Sequence, residues 1–177
     1  MDKNLQQGGE PVKITIIIPT NAYFMSGIRD FTLAMIKNMT NFSEQWAYRF
    51  QSVVDELCNN AIEHGSLPKQ EIKVTFVDNP GDSIEIFVED AGTGKSKLKS
   101  GELHNLVAER SKPDYAFTDI RGRGLAKIVA AWTDELEFVD LPNGGHRVRV
   151  KKYLKNPTLS QPIPGAASLD PTHVVLN

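Results

Sequence analysis

Glu56 and Asn60 are the pair of residues whose types and spacing are best suited to acid–base and cation chemistry. They are four residues apart in a segment with helical periodicity, so both side chains are expected on one helical face. A carboxylate can accept a proton, and an amide oxygen is a hard ligand of the kind that Mg²⁺ prefers. The alternative is an ordinary solvated face of an amphipathic helix.

A second chemical segment, residues 90–94 (DAGTG), directly follows a predicted strand. A carboxylate at a strand end can accept a hydrogen bond from an exocyclic amine such as that of adenine, and glycines let backbone approach a ligand. A plain turn is the alternative, because aspartate and glycine are common turn residues.

Two further glycine segments follow in the chain. Residues 121–125 (RGRGL) open a predicted helix, where free N–H groups and the helix dipole favour phosphate and arginines add charged donors. An ordinary helix start with exposed arginines explains them equally. Residues 144–148 (GGHRV) alone indicate a hairpin turn into the last strand.

The elements that must position these residues follow from hydrophobic periodicity. Ser43 is expected to cap the longest helix, and Gly65 is expected to end it in a left-handed conformation. Residues 95–121 are expected to form an irregular lid over the site, with only 103–110 helical. Strands are predicted at 12–19, 72–77, 84–88, 135–139 and 146–153, and helices at 23–38, 43–64, 103–110 and 125–132.

Composition sets the broad class. The chain has 177 residues and a net charge of −2, which favours one globular domain without a global basic field for nucleic acid or membrane. One cysteine, Cys58, excludes an internal disulfide and is predicted to be a small buried hydrophobe.

We expect a flexible segment at 1–11, the domain at 12–154 and a proline-rich tail at 155–177. The start of the sequence has no signal core and no run is long enough to span a membrane, so a cytoplasmic location is expected.

The order of the four segments resembles the nucleotide-binding boxes of the GHKL superfamily, which includes gyrase and the histidine kinases. The order is Glu-x-x-x-Asn, Asp-x-Gly-x-Gly, Gly-x-Gly-Leu and Gly-Gly-x-x-Val, over about residues 12–154. The segment 56–65 (ELCNNAIEHG) is similar to the corresponding segment of anti-sigma-factor serine/threonine kinases of the RsbW/SpoIIAB type. The resemblance implies an α+β fold of the Bergerat type, a two-layer sandwich with a mixed, largely antiparallel sheet and helices on one face.

The resemblance also implies a role for each residue in binding ATP and Mg²⁺. Glu56 would be the general base, and Arg121 would lie near the γ-phosphate as a second catalytic residue. Asn60 would coordinate Mg²⁺, and Asp90 would contact the adenine amine. The remaining cofactor-binding residues would be those of the two glycine loops, namely Gly92, Gly94, Gly122, Arg123, Gly124 and Leu125.

Two positions depart from the family pattern. His146 stands where a threonine often follows the last glycine pair, which puts one hydroxyl contact near the nucleotide in doubt. Lys95 stands where an apolar residue usually follows the Asp-x-Gly-x-Gly box, and it belongs either to a solvated loop or to a phosphate-attracting one.

Several functions fit these observations. The first is an anti-sigma kinase that sequesters a sigma factor and phosphorylates a serine on an anti-anti-sigma (STAS) partner, with a homodimer left open. The second is a partner-sequestering module without kinase activity, with or without bound nucleotide. The catalytic part of a sensor histidine kinase is a third, although the chain has no phospho-acceptor helix pair. A domain with coincidental loops is the fourth.

Overall fold

The sheet is built from strands in which β-branched and aromatic residues alternate with polar ones, a pattern that fits a half-buried pleated surface. The computed structural model describes residues 9–95, 98–112 and 124–154. Within these ranges the strands are β1 (Val12–Pro19), β2 (Glu71–Asn79), β3 (Ser83–Glu89), β4 (Glu135–Asp140) and β5 (His146–Tyr153). All five predicted strands are thereby confirmed, with ends shifted by two residues at most.

The strand order is β1-β2-β3-β5-β4, and every neighbouring pair in this sheet is antiparallel. In the described residues the sheet is therefore wholly antiparallel, where a mixed, largely antiparallel one was expected. Gly81 turns the β2–β3 hairpin with a φ of +79°, as its turn sequence predicts. β3 and β5 are neighbours in the sheet although β4 lies between them in the chain. Their register pairs Glu89 with Arg147, which brings the residue after β3 beside the first residue of β5.

The helices come from segments with an apolar stripe. They are α1 (Met25–Met39), α2 (Glu44–Asn60), α3 (Ser100–Arg110) and α4 (Ala130–Trp132), and three short helical segments lie at Ala22–Phe24, Ala61–Gly65 and Leu125–Val129. The segment Ala22–Phe24 is a 3₁₀ turn, and the other two have the wider π-helical hydrogen bonding. The predicted helices are confirmed, but three of them change their type of winding along their length.

Helices α1 and α2 cover one face of the sheet and leave the other to charged side chains. The core includes Ile36 of α1, Phe50 and Leu57 of α2, and Phe76 and Ile86 of the strands, each no more than 1% exposed. The opposite face carries cross-strand ion pairs, such as those of Arg147 with Glu89 and of Arg149 with Glu85. The α+β two-layer sandwich with helices on one face is therefore confirmed.

Two predictions about the ends of α2 are wrong. Ser43 occupies the capping position, but its side chain makes no capping hydrogen bond. Gly65 is not among the glycines with a positive φ, so it does not end the helix in a left-handed conformation. A Cβ at Gly65 would overlap the carboxyl group of Asp90, and this close approach explains the glycine.

Some predictions fall outside what the structure describes. These are most of the N-terminal segment 1–11, all of the tail 155–177, residues 96–97 and 113–121 of the expected lid, and residues 122–123 of the glycine segment. In the described part of the chain, no helix has the length and apolar character needed to cross a membrane. Cys58 is fully buried in α2, which confirms its prediction as a core residue.

Candidate functional site

Glu56 and Asn60 lie in the last turn and a half of α2, where the periodicity of the helix places them one above the other. The Asn60 side-chain amide donates a hydrogen bond from Nδ2 to Glu56 Oε1 over 2.8 Å. Because only the amide nitrogen can donate to a carboxylate, Asn60 Oδ1 is left to accept from a donor or to bind a cation. The pair thus presents a carboxylate and a carbonyl oxygen side by side.

Asp90 is the first residue after β3, and backbone N–H groups fix its carboxylate. Its Oδ1 accepts hydrogen bonds from the N–H of Gly92 at 2.8 Å and of His146 at 3.1 Å. The side chain is only 9% exposed, and this burial raises the pKa of the Asp90 carboxyl, against the opposing effect of those N–H groups. With Oδ1 held by the backbone, Oδ2 remains for a ligand donor.

The glycines of residues 90–94 lie where two backbone segments come into contact. Gly92 has a φ of +71°, and a Cβ there would overlap the backbone of Gly145. Gly94 donates its N–H to the carbonyl of Gly65 over 3.1 Å, and a Cβ there would overlap the carbonyl oxygen of His64. The loop is therefore packed between the end of α2 and the turn before β5, and both contacts exclude a side chain.

Gly124 lies directly against Glu56. A Cβ on Gly124 would overlap the carboxylate of Glu56, so the chain entering the Leu125–Val129 segment passes close to this acid. Arg121, Gly122 and Arg123, which the sequence also assigns to this loop, lie outside the described residues. Their predicted contacts with phosphate stay predictions.

One cavity of about 500 Å³ joins these residues. This volume lies in the range of about 300–1,000 Å³ that is usual for small-molecule sites. Its polar lining comes from α2 and the segment after it, the loop after β3, α3 and the start of β5, through Glu56, Asn60, His64, Asp90, Lys95, Arg110 and His146. Its apolar walls include Val88, Leu103, Leu106, Val107, Leu125 and Phe138. A flat apolar group with a polar tail matches this division.

Two contributors to this cavity were not assigned to the site from the sequence. The helix predicted at 103–110 within the lid is confirmed as part of α3, and its residues Leu103, Leu106 and Val107, whose spacing was the available signal, form one apolar wall. His146 was treated only as a departure from a pattern, but its ring lies between Asp90 and Asp140. No sequence signal revealed this, because the contact depends on the register of β3 against β5.

The donor set suits a cation that is held mainly by a phosphate ligand. Among the residues that the structure describes, no three His, Cys, Asp or Glu side chains form a metal-binding group. Mg²⁺ commonly takes one or two protein ligands and fills its coordination with phosphate oxygens and water. The single free oxygen of Asn60 fits that pattern, whereas a site built wholly from protein ligands does not.

Comparison with known proteins adds two findings. The sequence model of the family described as "Histidine kinase-like ATPase domain" matches residues 18–152, which is more than half of the chain. The chain is also similar to the tricorn protease of Thermoplasma volcanium, with 35% identity over 78 residues. That match covers 44% of this chain and only 6% of the protease, so it gives no reason to assign the protease's activity to this chain.

Proposed function

Since the chain belongs to the family of histidine kinase-like ATPase domains, we propose that it binds ATP with Mg²⁺ in the cavity beside α2 and transfers the γ-phosphate to a serine of a protein partner. The observation that carries this proposal is the meeting of Glu56, Asn60, Asp90 and Leu125 around one cavity. These residues come from three separated segments, and only the fold brings them together.

The adenine end of the nucleotide would lie at Asp90. Its Oδ1 is engaged by two backbone N–H groups, so Oδ2 is the oxygen that accepts a hydrogen bond from the exocyclic amine. Val88 and Leu125 provide apolar surface for the two faces of the base. Because an adenine analogue without the amine offers no donor to Asp90 Oδ2 in this buried position, we expect discrimination in favour of adenine over such a base.

The phosphate end would lie toward Gly124 and α2. Backbone N–H groups at the start of a helix are suited to bind phosphate oxygens, and the chain enters the Leu125–Val129 segment beside Glu56. Asn60 Oδ1 would hold Mg²⁺, which when bound stabilises negative charge on the phosphate oxygens. Lys95 also lines the cavity and carries a positive charge that would attract phosphate.

Glu56 would act on the attacking hydroxyl. In this step a partner serine gives its proton to the Glu56 carboxylate, its oxygen bonds to the γ-phosphorus, and the bond to the oxygen of ADP breaks. The hydrogen bond from Asn60 fixes Glu56 through Oε1 and leaves Oε2 to take the proton. General-base help of this kind is typically worth about 10²–10⁴-fold in rate.

For the partners, we propose a sigma factor that is sequestered and an anti-anti-sigma (STAS) protein that carries the serine. The support is the similarity of residues 56–65 to the anti-sigma kinases and the match of most of the chain to one ATPase domain. A nucleotide-binding module without transfer is the second candidate. His146 favours it, because it replaces a hydroxyl-bearing residue beside Asp90.

Incubation of the protein with labelled ATP, Mg²⁺ and the STAS protein encoded beside it tests the kinase function. Label on one serine of that partner supports transfer, whereas ATP binding without label favours the binding module. Glu56→Gln keeps an oxygen that can accept the hydrogen bond from the Asn60 amide, so we expect its ATP affinity to stay near that of the wild type. The rate of phosphate transfer should fall by about 10²–10⁴-fold.

Matched variants separate the roles of the other residues. Glu63→Gln is the control for Glu56, because Glu63 lies one to two turns further along, is exposed and does not line the cavity. Asn60→Ala removes the free amide oxygen, so the gain in ATP affinity that Mg²⁺ provides is expected to disappear. An unchanged response of this variant to Mg²⁺ would show that Asn60 is not the ligand.

A further inference from the structure

His146 connects the base end of the cavity with the helix that covers it. Its Nδ1 lies 3.6 Å from Asp90 Oδ2, and its Nε2 lies 3.3 Å from Asp140 Oδ1. The ring is 11% exposed and the Asp90 side chain 9%, so this contact is shielded from water, whereas the Asp140 side chain is 41% exposed. An imidazole has two nitrogens on opposite sides of a rigid ring, so one side chain reaches both carboxylates at these distances. A single hydroxyl at this position has one polar atom and cannot span them.

Asp140 in turn holds the first residue of α3. The Ser100 N–H donates to Asp140 Oδ1 over 3.0 Å, and the Ser100 hydroxyl donates to Oδ2 over 3.1 Å. The residue before it, Lys99, has only donor groups in its side chain and cannot accept from the first N–H groups of the helix. Asp140 of β4 therefore serves as a capping acceptor of α3, together with Glu102, whose Oε2 accepts from the Lys99 N–H over 2.7 Å.

The charge on Asp140 is consistent with this role. The hydrogen bond from the Ser100 N–H is the first cause that holds the pKa of the Asp140 carboxyl below its usual value, and His146 contributes in the same direction. A carboxylate at a helix start also complements the positive end of the helix dipole. The charged groups that face His146 are thus Asp90 on one side, and on the other Asp140 with Lys99 beside it.

We propose that His146 is a positioning residue that couples binding of a base at Asp90 to the docking of α3, with Asp140 as the link. The proposal rests on the proposed function, since the ligand is the adenine base of a nucleotide. A donor that binds Asp90 Oδ2 weakens the attraction of this oxygen for the imidazole, so His146 bonds more strongly to Asp140. The cap of α3 is then firmer, and Leu103, Leu106 and Val107 close the apolar wall over the base.

Hydrogen exchange of the peptide 100–110, measured with and without saturating ADP, tests this coupling. In the wild type we expect ADP to slow exchange in this peptide by about fivefold or more, the lower end of typical coupling between sites. In His146→Thr, at the same fractional saturation, we expect no such slowing. His146→Gln keeps a donor and an acceptor on a longer side chain and is expected to restore part of it.

A double-variant comparison gives the second arm. If His146 acts through Asp140, then Asp140→Ala and the double variant with His146→Thr lose the same amount of ADP-dependent protection. Glu137→Ala, on the exposed side of the same strand, is the control and is expected to behave as the wild type. Thermal melts of every variant establish that it is folded.

The outcomes separate this proposal from the proposed function. Equal ADP-dependent protection of 100–110 in the wild type and His146→Thr overturns the coupling, even if both bind nucleotide. Absence of ADP and ATP binding by the wild type overturns the proposed function and the coupling together. In that case exchange without ligand still tests the bridge: faster exchange at 100–110 in His146→Thr supports it, and equal rates refute it.

Discussion

Gly92→Ala probes the contact that holds the Asp90 loop against the turn before β5. Gly92 has a φ of +71°, which costs an L-residue about 1–2 kcal/mol. A Cβ there would also come closer than 3.0 Å to the backbone of Gly145, which real Cβ atoms essentially never do. Backbone cannot rotate away as a side chain can, so overpacking adds about 1–3 kcal/mol.

Together, the backbone strain and the overlap predict that Gly92→Ala lowers the free energy of unfolding by about 2–5 kcal/mol. For a chain of this size, this corresponds to a melting temperature lower by about 4–20 °C. Nucleotide affinity should fall as well, because the Gly92 N–H helps to hold Asp90 Oδ1. Thermal melts and ATP titration measure the two effects.

Two other glycines separate strain from overlap. Gly81 has a φ of +79°, but a Cβ there meets nothing within 4 Å. Gly81→Ala should therefore lower the free energy of unfolding only by the cost of the backbone conformation, about 1–2 kcal/mol. Gly101 lies inside α3 in open space, and Gly101→Ala should gain about 0.5–1 kcal/mol from helix propensity. A Gly92→Ala loss no larger than that of Gly81→Ala would refute the overlap with Gly145.

Three further predictions concern buried polar groups. Burial raises the pKa of Asp90 from 3.8, so the protonated form of its carboxyl group stabilises the fold, and this stabilisation is lost as the pH rises through the folded-state pKa. In thermal melts over a pH series, the melting temperature of Asp90→Asn should therefore rise relative to that of the wild type as the pH rises. A constant difference between the two melting temperatures would contradict this. Lys152 and Asp134 are 5% exposed and pair over 2.8 Å, so Lys152→Met, which leaves a buried carboxylate unpaired, should lose about 3–5 kcal/mol in urea denaturation. Lys37→Met at an exposed pair is the control, and equal midpoints for the two variants would refute the difference. Burial raises the pKa of the Cys58 thiol to about 12, so iodoacetamide should label it only after unfolding, as followed by mass spectrometry.

Local patterns predicted most of the elements because each depends on neighbours in the chain. The β-branched residues of 12–19, followed by Pro19, predicted β1 with its observed bounds, and the turn around Gly81 predicted the β2–β3 hairpin. The spacing of Glu56 and Asn60 likewise predicted that their side chains share one helical face, and the hydrogen bond between them confirms this.

Contacts that depend on strand order were not predictable in this way. The glycine at position 65 was interpreted through backbone conformation, whereas its real constraint is the side chain of Asp90 on another element. The bridge from Asp90 through His146 to Asp140 likewise needs β3 and β4 on either side of β5. Such approaches follow from sheet topology, which periodicity alone does not determine.

The distribution of burial explains why the wall made by α3 is the part of the site that should respond to a ligand. Helix α2, which carries Glu56 and Asn60, has six buried residues between Ala47 and Cys58, whereas α3 has only Val107. An element with little buried apolar surface opens at a lower free energy than the core. A ligand with an apolar face offers α3 an apolar surface to pack against, which the sheet and α2 do not provide. Glu56 and Asn60 therefore lie on a rigid element, and under the proposed coupling closure falls to α3, whose capping residue Asp140 lies 3.3 Å from His146.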